Sequence, residues 1–322
     1  MSFGVHSLDI DVVREAERIV EFLGHCVHTV YRRSGIVVGM SGGIDSAVMA
    51  ELSWRAIGKE NVLGLVLPER ESNPSSSEYA VAHAKKMGIE YRVKDITKTV
   101  ESVMSYAERD AYVKSLVPEY TEGSMYHIAL PTDLLERDSF NVYVLKVETP
   151  DGTIHKKRLG TQEFRRVTSF ANIKIRARML HLYHEAERLG YVVAGTTNRT
   201  EYLLGDFCKY GDGGTDIEAL AHLYKNQVYQ LGRHLGVPRE ILERTPSPDT
   251  FSLPVSDQEF FFRIPFDKLD HLLYAWERGI GVEETAEALG VGLDAVKRAF
   301  ADFASKNRAT AHLRVMPYSL EA

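Results

Sequence analysis

The run Ile36-Val37-Val38-Gly39-Met40 contains no polar side chain and leads directly into Ser41-Gly42-Gly43-Ile44-Asp45-Ser46. A short, unalternating, β-branched run reads as a strand with both faces buried, and the stretch from Ser46 to Ala56 beyond the glycines is helix-prone. The module is therefore strand, tight loop, helix. It recurs: Val62 to Leu67 as strand, Ser75 to Met87 as helix, Glu90 to Ile96 as strand, Ile173 to Leu189 as helix, Tyr191 to Ala194 as strand. Alternation of this kind predicts an α/β fold, a doubly wound and mainly parallel sheet with helices on both faces.

The remaining segments fit around that sheet. Residues 9 to 31 place Val12, Ala16, Ile19, Leu23 and Val27 on one helical face, with Asp9 available as the cap. Between residues 101 and 171 the βα rhythm stops for about seventy residues, far longer than an ordinary connection, which predicts an insertion. Within it, β-formers at 140 to 159 flank Pro150-Asp151-Gly152 and predict a β-hairpin. Residues 222 to 236 form another amphipathic helix. The prolyl stretch Thr245 to Asp257 reads as a loop able to close over a ligand. Helices fill 267 to 305, the last two joined by Gly290-Val291-Gly292. The expected division is an α/β domain over 1–266 and a helical extension over 267–322.

Charge and composition exclude several classes. With 39 Lys plus Arg against 45 Asp plus Glu, the net charge of −6 does not suit a chain built to neutralise nucleic acid. No apolar run approaches the roughly 18 residues of a membrane helix, and the amphipathic N-terminal stretch is not a signal peptide. Two cysteines, Cys26 and Cys208, make no disulfide framework. The expectation is a soluble, unprocessed cytoplasmic protein.

Ligands of an open parallel sheet sit beyond the carboxyl ends of its strands, where three motifs fall. In the first, Gly42 and Gly43 let backbone N–H groups approach an anion, a helix N-terminus adds positive potential, and Ser41 and Ser46 offer hydroxyls. This is a phosphate cradle, yet neither GxxxxGK[ST] nor GxGxxG is present. Asp45 is informative because a carboxylate beside a polyphosphate makes sense only with a divalent cation between them. The second motif, Gly195-Thr196-Thr197-Asn198-Arg199-Thr200-Glu201, supplies Glu201 as candidate second carboxylate for that cation. The third, Lys209-Tyr210-Gly211-Asp212-Gly213-Gly214-Thr215-Asp216, is a glycine-rich acidic turn suited to a cationic nucleophile. Lys225 lies on the next helix and Ser247 in the loop after it.

SGGIDS, the Asn172-to-Met179 segment NIKIRARM, GTTNRTE, KYGDGGTDIE and LYKNQVYQLGRHLGVP, in the family's order, resemble the ammonia-dependent NAD synthetases of the pyrophosphatase-loop superfamily. The resemblance covers residues 10 to 100 and 170 to about 300. It implies a carbon–nitrogen ligase in which the carboxylate of deamido-NAD attacks the α-phosphate of ATP, pyrophosphate leaves, and ammonia displaces AMP from the acyl-adenylate. It further implies a homodimer with acceptor sites at the subunit interface. Carried over by position, Asp45 and Glu201 are the magnesium (Mg2+) ligands. Ser41, Gly42, Gly43, Asp45 and Ser46 cradle ATP, with Arg176, Thr196, Lys225 and Ser247 as further nucleotide contacts. Asp45, Lys225 and Asp212 do the chemistry, Asp212 by holding ammonium before it loses a proton, and Asp216 belongs to acceptor binding.

Three features depart from the family pattern. The 101–171 insertion precedes the helix of Arg176, where it is placed to fold over the acceptor. Gly205-Asp206-Phe207 puts Asp206 where the family has an aromatic residue, beside the expected acceptor. The C-terminal tail, residues 307 to 314, carries fewer basic residues. Two alternatives stay open: the same adenylylation and amidation on another carboxylate, and a non-catalytic nucleotide sensor that uses its C-terminal helix pair on DNA or a partner. A sensor has no need of Asp212. Cys26 lies on an apolar helix face and is no glutaminase nucleophile, so ammonia arrives free or from a separate protein.

Overall fold

The computed structural model describes residues 3–138 and 141–320. Helix α1 (Val12–His25) unwinds through a π-helical turn, Cys26–Val30. Its cap is Asp11, which accepts from Arg14 N, whereas Asp9, the expected cap, pairs with His6. Then come β1 (Ile36–Gly39), α2 (Ile44–Ile57), β2 (Val62–Val66), α3 (Pro74–Met87) and β3 (Glu90–Val93). A segment of different character follows: α4 (Thr97–Val103), α5 (Tyr106–Leu116), β4 (Met125–Ala129), β5 (Val144–Glu148) and β6 (Ile154–Arg158). The chain returns to the sheet through α6 (Thr161–Leu189) and β7 (Val192–Ala194), and ends in α7 (Arg199–Leu204), α8 (Lys225–Leu235), α9 (Arg239–Leu242), α10 (Phe266–Arg278), α11 (Val282–Leu289) and α12 (Leu293–Ala309).

The main sheet is wholly parallel, in the order β3-β2-β1-β7. Period-two geometry divides its side chains: Ile36, Val38, Val62, Val66, Val192 and Ala194 face the core shared with α1, α2 and α8, while Val37, Leu63, Leu65 and Val193 face the core under α6. Both faces are covered, so the fold class is the expected α/β arrangement. The chain winds outward from β1 to β3 and then returns to the other side of β1. The strand order therefore reverses between β1 and β7, and the loops after those two strands share one crevice.

The 97–158 segment carries an antiparallel sheet, β4-β5-β6. The hairpin turns at Pro150-Asp151-Gly152, with Gly152 at φ +81°; its strands span 144–158 rather than 140–159, and Phe140 lies outside the described residues. Strand β4 is an addition to the sequence reading. Helix α6 begins twelve residues before Ile173, at Thr161, because Glu163 accepts from Gly160 N at its first turn and Phe164, Val167 and Phe170 continue the apolar face. The end of the expected insertion is thus ordinary helix. Helices α10, α11 and α12 form a further core with Leu203, Leu204 and Tyr224, which sets them directly against α7. Arg298, a basic residue on α12, donates to the carbonyls of Leu134 and Leu135, so it is engaged inside the protein. Among the described residues, no helix is long and apolar enough to cross a membrane.

Candidate active site

The Ser41-to-Ser46 turn leaves β1 and becomes the start of α2. Gly42 sits at φ +74°, and a Cβ there would lie 2.3 Å from the Ser76 carbonyl, so glycine is required on both counts. Ser41 N and Ser41 Oγ both lie 3.2 Å from Ser46 Oγ, which donates in turn to Gly43 O. The turn is held from within, and the first N–H groups of α2 are left for a ligand.

Asp45 and Glu201 meet at one cation. Lys225 Nζ donates to Asp45 Oδ2 at 2.5 Å and to Glu201 Oε1 at 3.1 Å, and its side chain is only 6% exposed. Asn198 joins the same carboxylates from the other side. Its Nδ2 donates to Asp45 Oδ1 at 2.9 Å, its Oδ1 accepts from Glu201 N, and its own N–H donates to Glu201 Oε2 at 3.2 Å. The last two bonds form a capping box at the start of α7. Lys225 opens α8; its N–H donates to Thr200 Oγ1, which donates to Asp270 Oδ1, while Asp270 Oδ2 accepts from Asn226 N. A buried carboxylate on α10 thus fixes where α7 and α8 begin.

Charge in this crevice is unbalanced. Burial pushes the Glu201 carboxyl up to about 8, with Lys225 opposing and Asp45 and Asp257 assisting. Asp257 rises to about 6 through burial and Asp45, against Lys225 and Arg244. Asp206 is raised well above the ordinary range by burial and by Asp257, Glu201 and Asp212. Burial opposes the charge on Lys225, but Asp45, Glu201 and Asp257 hold it firmly protonated. Carboxylates outnumber cations, so the cluster keeps protons that an added cation would displace. Two carboxylates within reach of one small ion suit magnesium, which takes one or two protein carboxylates and completes its shell with water and phosphate oxygens. Among the described residues no set of three or more His, Cys, Asp or Glu is arranged to hold a metal.

The other expected site residues are distributed more widely. Asp206 lies beside the Asp257–Glu201 group. Asp212 accepts from Cys208 N at 2.6 Å within its glycine-rich turn. Thr196 is half-buried in the loop after β7. Arg176 donates through Nε and Nη2 to Lys209 O and makes no bond to the cradle; Arg178, about half a turn on, instead reaches Leu67 O and Ser72 Oγ beyond β2. Asp216 uses its carboxylate in the fold, accepting from Tyr183 OH and from Val193 N of β7. Ser247 is exposed and accepts from Asp249 N, without a bond to the cradle.

Four participants escaped the sequence reading. Asn198 had a signal, the Asn-x-x-Glu capping pattern inside GTTNRTE. Arg244 donates to Gly42 O at 3.3 Å and to Ser76 Oγ at 2.6 Å, so a guanidinium stands beside the phosphate turn. Asp257 and Asp270 come from distant loops and helices with no local pattern. Nor was a buried ion network visible: Lys174 Nζ donates to Glu69, Glu71 and Thr250 O, Arg109 binds Glu71 with both Nη atoms at 2.6 Å, and Tyr106 OH donates to Glu69. Burial alone would raise Glu71, but Arg109 and Lys174 hold it at about 2. This network ties α5 and α6 to the loop after β2 and to the 245–257 loop. Strand β4 grips the same loop through Leu253 N to Tyr126 O and Tyr126 N to Ser252 Oγ.

Comparison with known proteins agrees with this geometry. A family model described as NAD synthase matches residues 15–123 and 128–317. The NH(3)-dependent NAD(+) synthetase of Rhizobium meliloti is 40% identical over 315 residues, covering 98% of this chain and 94% of that protein. The protein of the same description from Thermotoga maritima is 37% identical over 262 residues, 81% of this chain and 86% of its own length. A match of 315 residues leaves no room to exclude the 101–171 segment, so that segment is shared with the Rhizobium protein rather than peculiar to this chain. Among solved structures, an NH3-dependent NAD synthetase from Campylobacter jejuni superimposes with a TM-score of 0.62 at 23% identity, covering 97% of this chain and 100% of that one. An NMN synthetase from Francisella tularensis gives the same TM-score at 22% identity, with 97% and 99% covered. At such identity the two structures speak for the fold.

Proposed function

The chain belongs to the NAD synthase family, and from that premise we propose that it makes NAD from deamido-NAD, ammonia and ATP, releasing AMP and pyrophosphate. The observation that carries this reading is the Lys225 ammonium between Asp45 and Glu201 at the mouth of the Ser41-to-Ser46 turn. A carboxylate has no leaving group, and adenylylation provides one, provided that the departing pyrophosphate is stabilised.

Ser41, Gly42, Gly43 and Ser46 receive the β- and γ-phosphates through backbone N–H groups and hydroxyls, with Arg244 alongside. Lys225 stays charged and offers hydrogen bonds to phosphate oxygens as negative charge moves onto them. Asp45 and Glu201 would hold magnesium, which supplies charge neutralisation for the leaving pyrophosphate. Asn198 keeps those carboxylates in register. Ammonium reaches the acidic end of the crevice, where Asp212 and Asp206 attract it, and a carboxylate there takes the proton that frees the nitrogen lone pair for attack on the acyl carbon. Thr196 and Ser247 serve as further contacts on the nucleotide side. Arg176 and Asp216 act indirectly, by fixing the acidic turn. Phe22, Val30, Tyr31 and Leu180 are exposed apolar side chains, which supports a homodimer. Cys26 and Cys208 are buried free thiols, in keeping with a reducing cytoplasm.

The test is direct. Purified protein with ATP, magnesium, ammonium and deamido-NAD is expected to yield NAD and AMP together by mass spectrometry. AMP formed only with another acid, such as nicotinate mononucleotide, would replace the acceptor and keep the chemistry; no AMP with either acid would overturn the reading.

A further inference from the structure

We propose that residues 307–315 are a positioning strap that holds the Glu201 helix and the Asp212 turn in register for metal binding, through Asn307, Thr310 and Arg314. The proposal rests on the reading of Glu201 as a metal ligand. Helix α7 has six residues and, at that length, no stability of its own. Its first turn is satisfied by the Asn198 capping box. Its last turn leaves carbonyls without intrahelical donors, and three of these are filled by side chains from more than a hundred residues later. Asn307 Nδ2 donates to Leu203 O at 2.7 Å, Thr310 Oγ1 to Leu204 O at 3.2 Å, and Arg314 Nη1 to Tyr202 O at 3.0 Å.

A guanidinium at a helix C-terminus is also favoured by the helix dipole. Arg314 is itself held in place, since its Nη2 donates to Asn307 O at 2.5 Å and its guanidinium lies over the Tyr202 ring. The strap rests directly on the end of the helix: Gly205, the left-handed residue that terminates α7, has Thr310 2.2 Å from where a Cβ would stand. A second grip runs the other way. Lys209 Nζ, at the start of the acidic turn, donates to His312 O at 3.0 Å and Val315 O at 2.9 Å. One short segment therefore fastens the helix that aims Glu201 and the turn that carries Asp212. None of its side chains bonds to Asp45, Glu201 or Lys225, so its effect on the metal is exerted through α7.

The test compares Arg314→Ala, Arg314→Lys and Glu201→Gln with the unaltered full chain. Two readouts are used: Mn2+ titration followed by electron paramagnetic resonance with a non-hydrolysable ATP analogue, and amide hydrogen exchange. Loss of support behind a metal ligand typically weakens binding 10- to 100-fold, so Arg314→Ala is expected to raise Mn2+ half-saturation about tenfold. Exchange should quicken at the Gly205 and Asp206 amides, which donate to Glu201 O, while β1 amides stay protected. The turnover number at saturating metal should stay within about twofold, and Arg314→Lys should restore part of the affinity. Unchanged Mn2+ affinity in Arg314→Ala overturns the strap, whatever the exchange shows; so does an affinity loss matched by faster exchange throughout β1. Should Arg314→Ala not fold, Asn307→Ala and Thr310→Val, each removing one cap, are read by the same criteria. If Glu201→Gln binds Mn2+ as the unaltered chain does, the metal assignment falls and the strap with it; if Glu201→Gln loses the metal and Arg314→Ala keeps it, only the strap falls.

Discussion

Replacing Lys225 with Met removes the positive charge that bridges Asp45 and Glu201 and keeps most of the volume. In the metal-free protein two buried carboxylates then face each other without a cation. Removing one partner from a buried charge group costs about 3–5 kcal/mol. For a chain of this size that lowers Tm by roughly 6–15 °C, at about 2–3 °C per kcal/mol. The loss should depend on pH with a definite sign. Glu201 in the folded protein titrates near 8, above its ordinary value of 4.5, so the folded state holds a proton that the unfolded chain has released. Metal-free stability therefore falls as pH rises from about 4.5 through 8, and Lys225→Met extends the fall to higher pH. Two further outcomes separate this account from general damage. The double variant Lys225→Met/Glu201→Gln should recover most of the lost Tm, and magnesium should raise the Tm of Lys225→Met more than that of the unaltered protein. Melts at pH 6 and 8.5, with chelator or magnesium, provide all four comparisons. Equal Tm for Lys225→Met and the unaltered chain at pH 8.5, or no recovery in the double variant, would refute the reasoning.

Asp45→Asn and Glu201→Ala should each abolish pyrophosphate release while circular dichroism stays that of the folded protein; normal turnover in either refutes the metal assignment. Arg244→Ala should raise the KM for ATP by about tenfold, the cost of one charge-assisted hydrogen bond, with deamido-NAD affinity unchanged; an unaltered KM for ATP removes Arg244 from the phosphate site. Asp216→Asn should cost about 1–3 kcal/mol in a denaturant melt, because it weakens the bonds to Tyr183 and Val193 N, and leave the KM for deamido-NAD in place; a raised KM with unchanged stability would return Asp216 to the acceptor.

What the sequence disclosed follows the range of the interactions involved. The sheet was legible because each strand is a local apolar run and each crossover helix a local period, and the phosphate turn because its glycines, serines and Asp45 lie within six residues. Glu201 and Lys225 were placed through motifs at the ends of β7 and the start of α8. Their meeting was not deducible from spacing, since it depends on the reversal of strand order between β1 and β7. Asp257 and Arg244 lie in or beside a loop whose course is set by β4 and by the Lys174–Glu71–Arg109 network, that is, by contacts between segments 38 to 126 residues apart. Arg176 and Asp216 show the opposite limit. Their motif positions were clear, but each side chain is engaged by a neighbour that only the folded chain supplies, Lys209 O for one and Tyr183 with Val193 N for the other.

The charge of the crevice also orders how its ligands arrive. Asp45, Glu201, Asp206 and Asp257 interact with one another there, against Lys225 and Arg244. A free polyphosphate is repelled by such a site, whereas a nucleotide carrying a divalent cation brings the charge that the carboxylates lack. Ammonium is drawn in by the same excess, and the raised carboxyls that hold protons before loading become proton acceptors once a cation lowers them. The acidic pocket thus disfavours the nucleotide until magnesium accompanies it and favours the nucleophile throughout. On this account free ATP should compete poorly with its magnesium complex, and inhibition by ATP in excess of magnesium should become stronger in Asp257→Asn. Persistence of that inhibition at unchanged strength would mean that the carboxylates do not sort the nucleotide by its charge.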